Sequence, residues 1–179
     1  MKQLELLNIF AHLEKYKSFV FSNRDLEMFF PNETKKTLEK SLSRMVKKGL
    51  ITRAARGVYV NHQGAQRNAC NVIEEIALKL RPCDLCYVSL ESILSEYGVI
   101  SQVPLNYLTV MTTGAKGVHK TPYGTIEFTH TSRGYMEALD RSIMIPDRPL
   151  RIAKKMVAVQ DLRRVGRNVY MMDEEEFDE

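Results

Sequence analysis

Gly49 separates two kinds of sequence pattern, and this change constrains the fold of the first 60 residues more than any other feature. Before it, apolar side chains recur at the spacings of three or four residues that place them on one face of a helix. After it, the β-prone runs 50–53 and 57–60 are joined by a short turn at residues 54–56. The change therefore predicts helices followed by a small β-hairpin.

Local start and stop signals divide the helical part into three elements. A first helix is predicted over residues 2–16, and residues 22–25, Ser-Asn-Arg-Asp, resemble a capping box that begins a second helix ended by Pro31. Asn32 or Thr34 can cap a third helix, which the glycine at the pattern change terminates. Three helices, a tight turn between the second and third, and a hairpin together predict a winged helix-turn-helix.

A polar stretch at residues 61–68 predicts a connector to a second domain. The chain of 179 residues has room for two small domains. The expected fold class is α+β, with a winged helix-turn-helix at residues 1–62, a small mixed α/β domain at 63–172 and an acidic tail at 173–179. Within the second domain the patterns predict helices at 69–80, 90–97 and 151–165, strands at 107–112, 125–131 and 142–146, and a glycine-rich loop at 114–124.

Composition excludes several classes of protein. With 44% apolar and 27% charged residues, the chain is expected to fold and to be soluble, unlike a disordered chain. No run reaches the roughly 18 apolar residues that a membrane-spanning helix needs, and three cysteines do not form a disulfide framework. These features predict a cytoplasmic protein that does not bind membranes.

The charge is unevenly distributed along the chain. The formal net charge is +4, but residues 173–179 carry six of the 22 acidic groups. The remainder has 26 basic against 16 acidic residues, a net charge of +10. A basic body of this kind indicates an anionic partner such as nucleic acid.

The third helix concentrates this positive charge on one face. A helical wheel places Leu38, Leu42 and Met45 on one side and the basic residues on the other. Residues 34–56 contain eight basic side chains and one acid, Glu39, a net charge of +7 in 23 residues. Cations that displace counterions, on a helix narrow enough for the major groove, predict binding to double-stranded DNA.

The predicted contacts fall into three groups. We expect the N-terminal half of the third helix to approach the bases, its C-terminal half to reach the phosphate backbone, and the hairpin to contact a neighbouring strand or the minor groove. In chain order, the DNA-binding residues are predicted to be Lys35, Lys36, Thr37, Lys40, Ser43, Arg44, Lys47, Arg53 and Arg56. The alternatives are a solvated lysine-rich helix and a winged helix that docks another protein.

No pattern in the sequence predicts catalysis. Cys83 and Cys86 form a Cys-x-x-Cys without two further ligands of suitable spacing, so free thiols are expected. The loop at 114–117 lacks the Gly-Lys-Ser/Thr ending of a phosphate-binding loop, and Ser89 is interpreted as a helix cap. We therefore predict no catalytic residue, no metal site and no cofactor, and we expect that the protein is not an enzyme.

The order of motifs in the whole chain resembles a known family. After the basic winged helix, residues 87–94 read Tyr-Val-Ser-Leu-Glu-Ser-Ile-Leu, residues 107–110 read Tyr-Leu-Thr-Val, and residues 123–128 read Tyr-Gly-Thr-Ile-Glu-Phe. This order resembles the AbiEi antitoxins of type IV toxin-antitoxin and abortive-infection systems. In a later family segment, residues 153–161 here, Ala153, Ala158 and Asp161 match the family pattern, whereas its Pro-Glu-Lys core does not occur.

The resemblance implies a repressor of its own operon that binds its promoter through the winged helix. It also implies that the second domain counteracts a nucleotidyltransferase-like toxin encoded beside it, without the need for a stable complex. Two other functions stay open: a protein-interaction module that neutralises a partner toxin directly, and a stand-alone transcriptional regulator.

Overall fold

The computed structural model describes residues 3–101 and 105–171. Contacts divide the chain into two compact units, with the boundary between Leu80 and Arg81. The predicted acidic tail at residues 173–179 lies outside the described residues. The α+β fold class is confirmed, and each unit is described by itself below.

The first unit combines five α-helices and one 3-10 helix (Ala69–Asn71) with a three-stranded sheet in its described residues. The strand order is β1-β3-β2, and both pairings are antiparallel. The elements in chain order are α1 (Gln3–Glu14), β1 (Val20–Ser22), α2 (Asn23–Phe29), α3 (Lys35–Lys47), β2 (Ile51–Ala55), β3 (Val58–Asn61), α4 (His62–Arg67) and α5 (Val72–Leu80). This order of three helices and a β2–β3 hairpin confirms the predicted winged helix-turn-helix.

Side-chain caps begin the two helices of the helix-turn-helix. At α2, the Ser22 hydroxyl accepts a hydrogen bond from the Asp25 N–H at 3.1 Å, and the Asp25 carboxylate accepts one from the Ser22 N–H at 2.8 Å. At α3, the Thr34 hydroxyl accepts one from the Thr37 N–H at 3.3 Å. The predicted capping box is thus confirmed, and Thr34 is the cap of the third helix.

The turn after α3 needs a glycine. Gly49 has a φ of +70°, a left-handed conformation that is strained for residues with a Cβ. The helix ends there as predicted, and the chain enters β2 two residues later.

Strand β1 was not predicted. It has three residues, Val20–Ser22, too few to show an alternating pattern, and it exists through pairing with β3, in which Val20 lies opposite Val60. Its side chains extend the core of the first unit, where the rings of Phe10 and Phe21 stack with centroids 4.9 Å apart. The sheet therefore fixes the hairpin against the helices.

The first unit extends beyond the expected boundary at residue 62. The stretch interpreted as a connector forms α4, capped by Asn61 and packed closely enough that a Cβ on Gly64 would lie 2.4 Å from the Phe19 Cβ. Helix α5 buries Ile76 and Ala77 completely in the same unit. The sequence did not predict this packing, because α4 is mostly polar and only two of its residues, both small, are buried.

The second unit contains a mixed six-stranded sheet in its described residues. The strand order is β6-β7-β5-β4-β9-β8, in which β5 with β7 and β4 with β9 are parallel pairs and the other pairs are antiparallel. The elements are β4 (Cys86–Val88), α6 (Leu90–Glu96), β5 (Tyr107–Thr112), β6 (Gly117–Thr121), β7 (Gly124–His130), α7 (Tyr135–Asp140), β8 (Ser142–Ile143), β9 (Arg151–Ala153) and α8 (Lys155–Val165).

Several details of this unit differ from the prediction: strand β4 was not predicted, and the strand expected at 142–146 is limited to Ser142–Ile143. The expected helix at 151–165 begins with strand β9, which pairs with β4, and the helix itself starts at Lys155. The expected loop at 114–124 contains β6, an edge strand in which none of the five residues is buried. Helix α7 was missed because only Ala138 of its residues is buried, so it has little apolar periodicity.

Candidate nucleic-acid interface

The outward face of α3 is determined by what the helix buries. Leu38, Leu42 and Met45 are at most 4% exposed and pack into the core of the first unit. The predicted contact residues on α3 are all exposed: Lys35, Lys36, Thr37, Lys40, Ser43, Arg44 and Lys47. The helix therefore presents a polar and mostly cationic face away from the core.

The wing, defined as the β2–β3 hairpin, adds two exposed arginines. Arg53 lies opposite Tyr59 in the β2–β3 ladder, and Arg56 precedes Gly57, which has a φ of +76°. The register shifts between Arg53 and Ala55, so the strand carries an irregularity next to the turn. Irregularities of this kind change the direction of side chains at the end of a ladder.

Two hollows flank α3, and Ser43 lines both. The wing-side cleft has a volume of about 290 Å³, and Glu39, Ser43, Arg53 and Arg56 are among its lining residues. On the other side, an open hollow of about 470 Å³ is lined by Thr37, Lys40, Ser43 and Arg44. Six of the nine predicted residues thus line these hollows, whereas Lys35, Lys36 and Lys47 line neither.

Most cations of this face have no acidic partner. Lys35 lies 3.8 Å from Glu27, and Arg44 donates a hydrogen bond to the Ser41 hydroxyl at 3.0 Å. Five others make no ion pair with another residue in the described part of the chain: Lys36, Lys40, Lys47, Arg53 and Arg56. By contrast, Arg148 and Arg167 of the second unit are held by carboxylates at 2.7 and 2.9 Å.

This arrangement is chemically suited to a polyanion of regular shape. An α-helix with its side chains is about 10–12 Å across, and the major groove of B-DNA is about 12 Å wide. Unpaired ammonium and guanidinium groups can replace the counterions of phosphates. The assignment of the nine residues to bases and phosphates stays a prediction, which their exposure and lack of acidic partners support.

Sequence reasoning missed two polar residues of the wing-side cleft. Asn23 lines it although it belongs to α2, and no local signal in the sequence indicates this. Glu39 lines it as well, although in the sequence it is distinguished only as the single acid of a basic segment. Its position on α3, one turn before Ser43, could have been read from the helical wheel.

A buried polar cluster occupies the second unit. The carboxylate of Asp161 on α8 is fully buried, and it accepts hydrogen bonds from the Tyr87 hydroxyl at 3.1 Å, the Ser89 hydroxyl at 3.0 Å and the Arg133 guanidinium at 2.7 Å. Burial, and then the negative charge of Asp161, raise the pKa of Tyr87 above its ordinary value. The cluster joins β4, α8 and the segment before α7.

This cluster corrects the interpretation of Ser89. The residue precedes α6, but its side chain makes no capping hydrogen bond and instead donates to Asp161. Its carbonyl accepts a hydrogen bond from the Thr109 hydroxyl at 2.6 Å, and the Thr109 N–H donates to the Ser92 hydroxyl at 2.9 Å. The motif residues Tyr87, Ser89, Ser92 and Asp161 thus form a buried network that holds strands and helices together.

A second polar cluster lies nearer the surface of the same unit. Arg167 binds the carboxylates of Glu91 and Glu127, and the Tyr107 hydroxyl donates to Glu127 at 2.6 Å. The hydrogen bond to Glu127 raises the pKa of Tyr107 to about 12. Burial opposes ionisation of Glu127, but the hydrogen bonds from Arg167 and Tyr107 outweigh it and lower its pKa.

The cysteines are free thiols. Cys70 and Cys83 are exposed, whereas Cys86 is buried and its Sγ lies 3.3 Å from the Thr112 hydroxyl. Burial raises the pKa of the Cys86 thiol, which disfavours the reactive thiolate. Within residues 3–101 and 105–171, no group of three or more His, Cys, Asp or Glu side chains is placed to hold a metal ion.

None of the helices in the described ranges is both long and apolar enough to cross a membrane.

Comparison with known proteins bears on the first unit. Residues 9–62 match a family model described as "Transcriptional regulator, AbiEi antitoxin". No curated protein matches the chain. The matched segment includes α2, α3 and the wing. The expected resemblance is therefore confirmed: the segment that carries the candidate nucleic-acid interface is similar to the AbiEi antitoxin family of transcriptional regulators.

Proposed function

We propose that this protein is a sequence-specific DNA-binding repressor of its own operon. The observation that carries the proposal is the row of exposed cations on α3 and the wing that have no acidic partner among the described residues. Helix α3 enters the major groove, and the wing arginines contact the adjacent backbone or minor groove. The similarity of residues 9–62 to a family of transcriptional regulators supports this proposal.

The protein also acts as the antitoxin of a type IV system. In this proposal the second unit counteracts a nucleotidyltransferase-like toxin from the same operon, without a stable complex and without catalysis. The support is the resemblance of motifs that lie within the second unit, such as residues 87–94 and Asp161. Because the proposed operator binding requires access to DNA, we infer that the protein acts in the cytoplasm.

A binding experiment tests the repressor function. Fluorescence anisotropy compares the full chain on its own upstream DNA and on scrambled DNA of equal length, at several salt concentrations. Specific binding about 10³-fold tighter than binding to the scramble is expected, with a log-log salt slope of about −4 or steeper. Equal and weak binding to both DNAs would leave direct docking to a partner toxin as the better explanation.

A triple substitution locates the interface. Replacing Lys36, Lys40 and Arg44 together by Ala should abolish specific binding, since it removes the cations of the α3 face while the buried side of the helix stays intact. The matched control replaces three exposed lysines of the second unit, Lys116, Lys120 and Lys154, by Ala. If both triple variants weaken binding equally, net charge rather than α3 determines affinity.

A further inference from the structure

Glu39 is an exception on the α3 face. It is exposed, it lies within a segment of eight basic residues, and it lines the wing-side cleft together with Ser43, Arg53 and Arg56. Its carboxylate makes no hydrogen bond or ion pair with any other residue that the structure describes. It is therefore available to an external hydrogen-bond donor.

A carboxylate at a DNA interface behaves differently from the cations around it. It is repelled by phosphates, so it lowers affinity for any sequence that offers it no partner. In the major groove, the exocyclic amino groups of cytosine and adenine are the donors, and carboxylates characteristically accept from the cytosine N4 amino group. A carboxylate in this position therefore contributes discrimination rather than general affinity.

The neighbours of Glu39 allow its approach to DNA. Arg53 and Arg56 line the same cleft, so their positive charge offsets the repulsion between the carboxylate and nearby phosphates. Ser43 lies four residues later on α3, on the same side of the helix, and lines the cleft as well. Glu39 itself belongs to the N-terminal half of α3, the half that is expected to approach the base edges.

We propose that Glu39 determines sequence specificity by accepting a hydrogen bond from the N4 amino group of a cytosine. This inference rests on the proposed function, because it requires α3 to lie in the major groove. It adds one preferred base pair to the operator, at the position that faces the wing-side cleft.

The test uses the full chain and a set of single base-pair variants of its upstream DNA. Binding is measured for the parent, for Glu39→Gln, and for Glu5→Gln, which makes the same charge change at an exposed residue of α1. The parent is expected to prefer cytosine at one position by roughly fivefold or more. Glu39→Gln should lose that preference and favour adenine there, since glutamine pairs with the adenine N6 and N7 atoms.

The other measurements distinguish a failure of this inference from a failure of the proposed repressor function. Preferences at the other positions should not change in Glu39→Gln, and Glu5→Gln should keep the full pattern of the parent. If Glu39→Gln instead raises affinity for every sequence alike, or keeps the cytosine preference, the inference is wrong while the repressor function stands. If the parent does not distinguish its upstream DNA from the scramble, the proposed function fails and the inference fails with it.

Discussion

Asp161 is a buried charge whose partners come from distant parts of the second unit. Its carboxylate is completely inaccessible and binds Tyr87, Ser89 and Arg133. Replacing Asp161 by Asn removes the buried carboxylate partner of the Arg133 guanidinium, which keeps only the exposed Glu137 at 3.1 Å, and removal of one member of a buried ion pair costs about 3–5 kcal/mol. Urea unfolding of the full chain should show this loss, whereas Asp140→Asn at an exposed position should change the free energy of unfolding by about 0.5 kcal/mol or less.

Exposed and buried residues differ in how well the sequence predicts them. The wheel of the third helix correctly separated the exposed Lys36 and Lys40 from the buried Leu42, because both sets follow the helical period. The role of Ser89 was predicted wrongly, because its acceptor lies 72 residues away on α8. Spacing along the chain shows which residues share a face, but it does not show contacts between distant elements.

Helix α2 depends on a charged cap, and this makes its stability depend on pH. Burial opposes the ionisation of Asp25. This effect is outweighed by Lys79, 2.8 Å from the carboxylate, and by the hydrogen bonds with the Ser22 N–H and hydroxyl, so the pKa of Asp25 lies below the ordinary value of 3.8. Because folding lowers this pKa, the stabilisation is present above that value and is lost as the pH falls through the folded pKa. Asp25→Asn should therefore cost roughly 0.5–1 kcal/mol at neutral pH and progressively less in acid.

Unfolding titrations across pH check this prediction. The difference in the free energy of unfolding between the parent and Asp25→Asn should narrow below pH 3.8, the ordinary pKa of the carboxyl. Asp140→Asn, which changes an exposed carboxylate of the second unit, is measured alongside as the control for removal of one carboxylate. A constant difference at all pH values would mean that the carboxylate charge does not stabilise α2.

Elements with strong local signals were predicted, whereas short strands that depend on pairing with a distant strand were not. The capping box of α2, the end of α3 at Gly49 and the β2–β3 hairpin each depend on a few adjacent residues. Strand β1 depends on β3, some 40 residues later, and β9 depends on parallel pairing with β4. The exposure of the basic face of α3 and of the wing was predictable because these elements belong to the first group.

At the scale of the whole molecule, the two units have separate cores. The core of the winged helix is formed by residues 6–59, whereas the Asp161 network lies within the second unit. The sequence placed the boundary at residue 62, because α4 is polar and resembles a linker. Separate cores allow changes in one unit to leave the fold of the other intact.

Repression and toxin protection should therefore be separable by substitution. In cells with an operator-driven reporter, the Lys36, Lys40 and Arg44 triple variant should lose repression, since its operator binding is lost. Expressed from an independent promoter together with the toxin, the same variant should still restore growth. Asp161→Asn should show the reverse, with operator binding retained and protection weakened, because it destabilises only the second unit.

The outcome for the triple variant is the decisive one, because its substitutions lie on an exposed face and leave the core of the first unit unchanged. Loss of both repression and protection would mean that the α3 face also contacts the toxin, as expected of a module that neutralises its partner directly. Loss of repression alone would assign DNA binding to the first unit and protection to the second. Anisotropy with the upstream DNA, measured on both variants, ensures that each cellular result is compared with a known affinity.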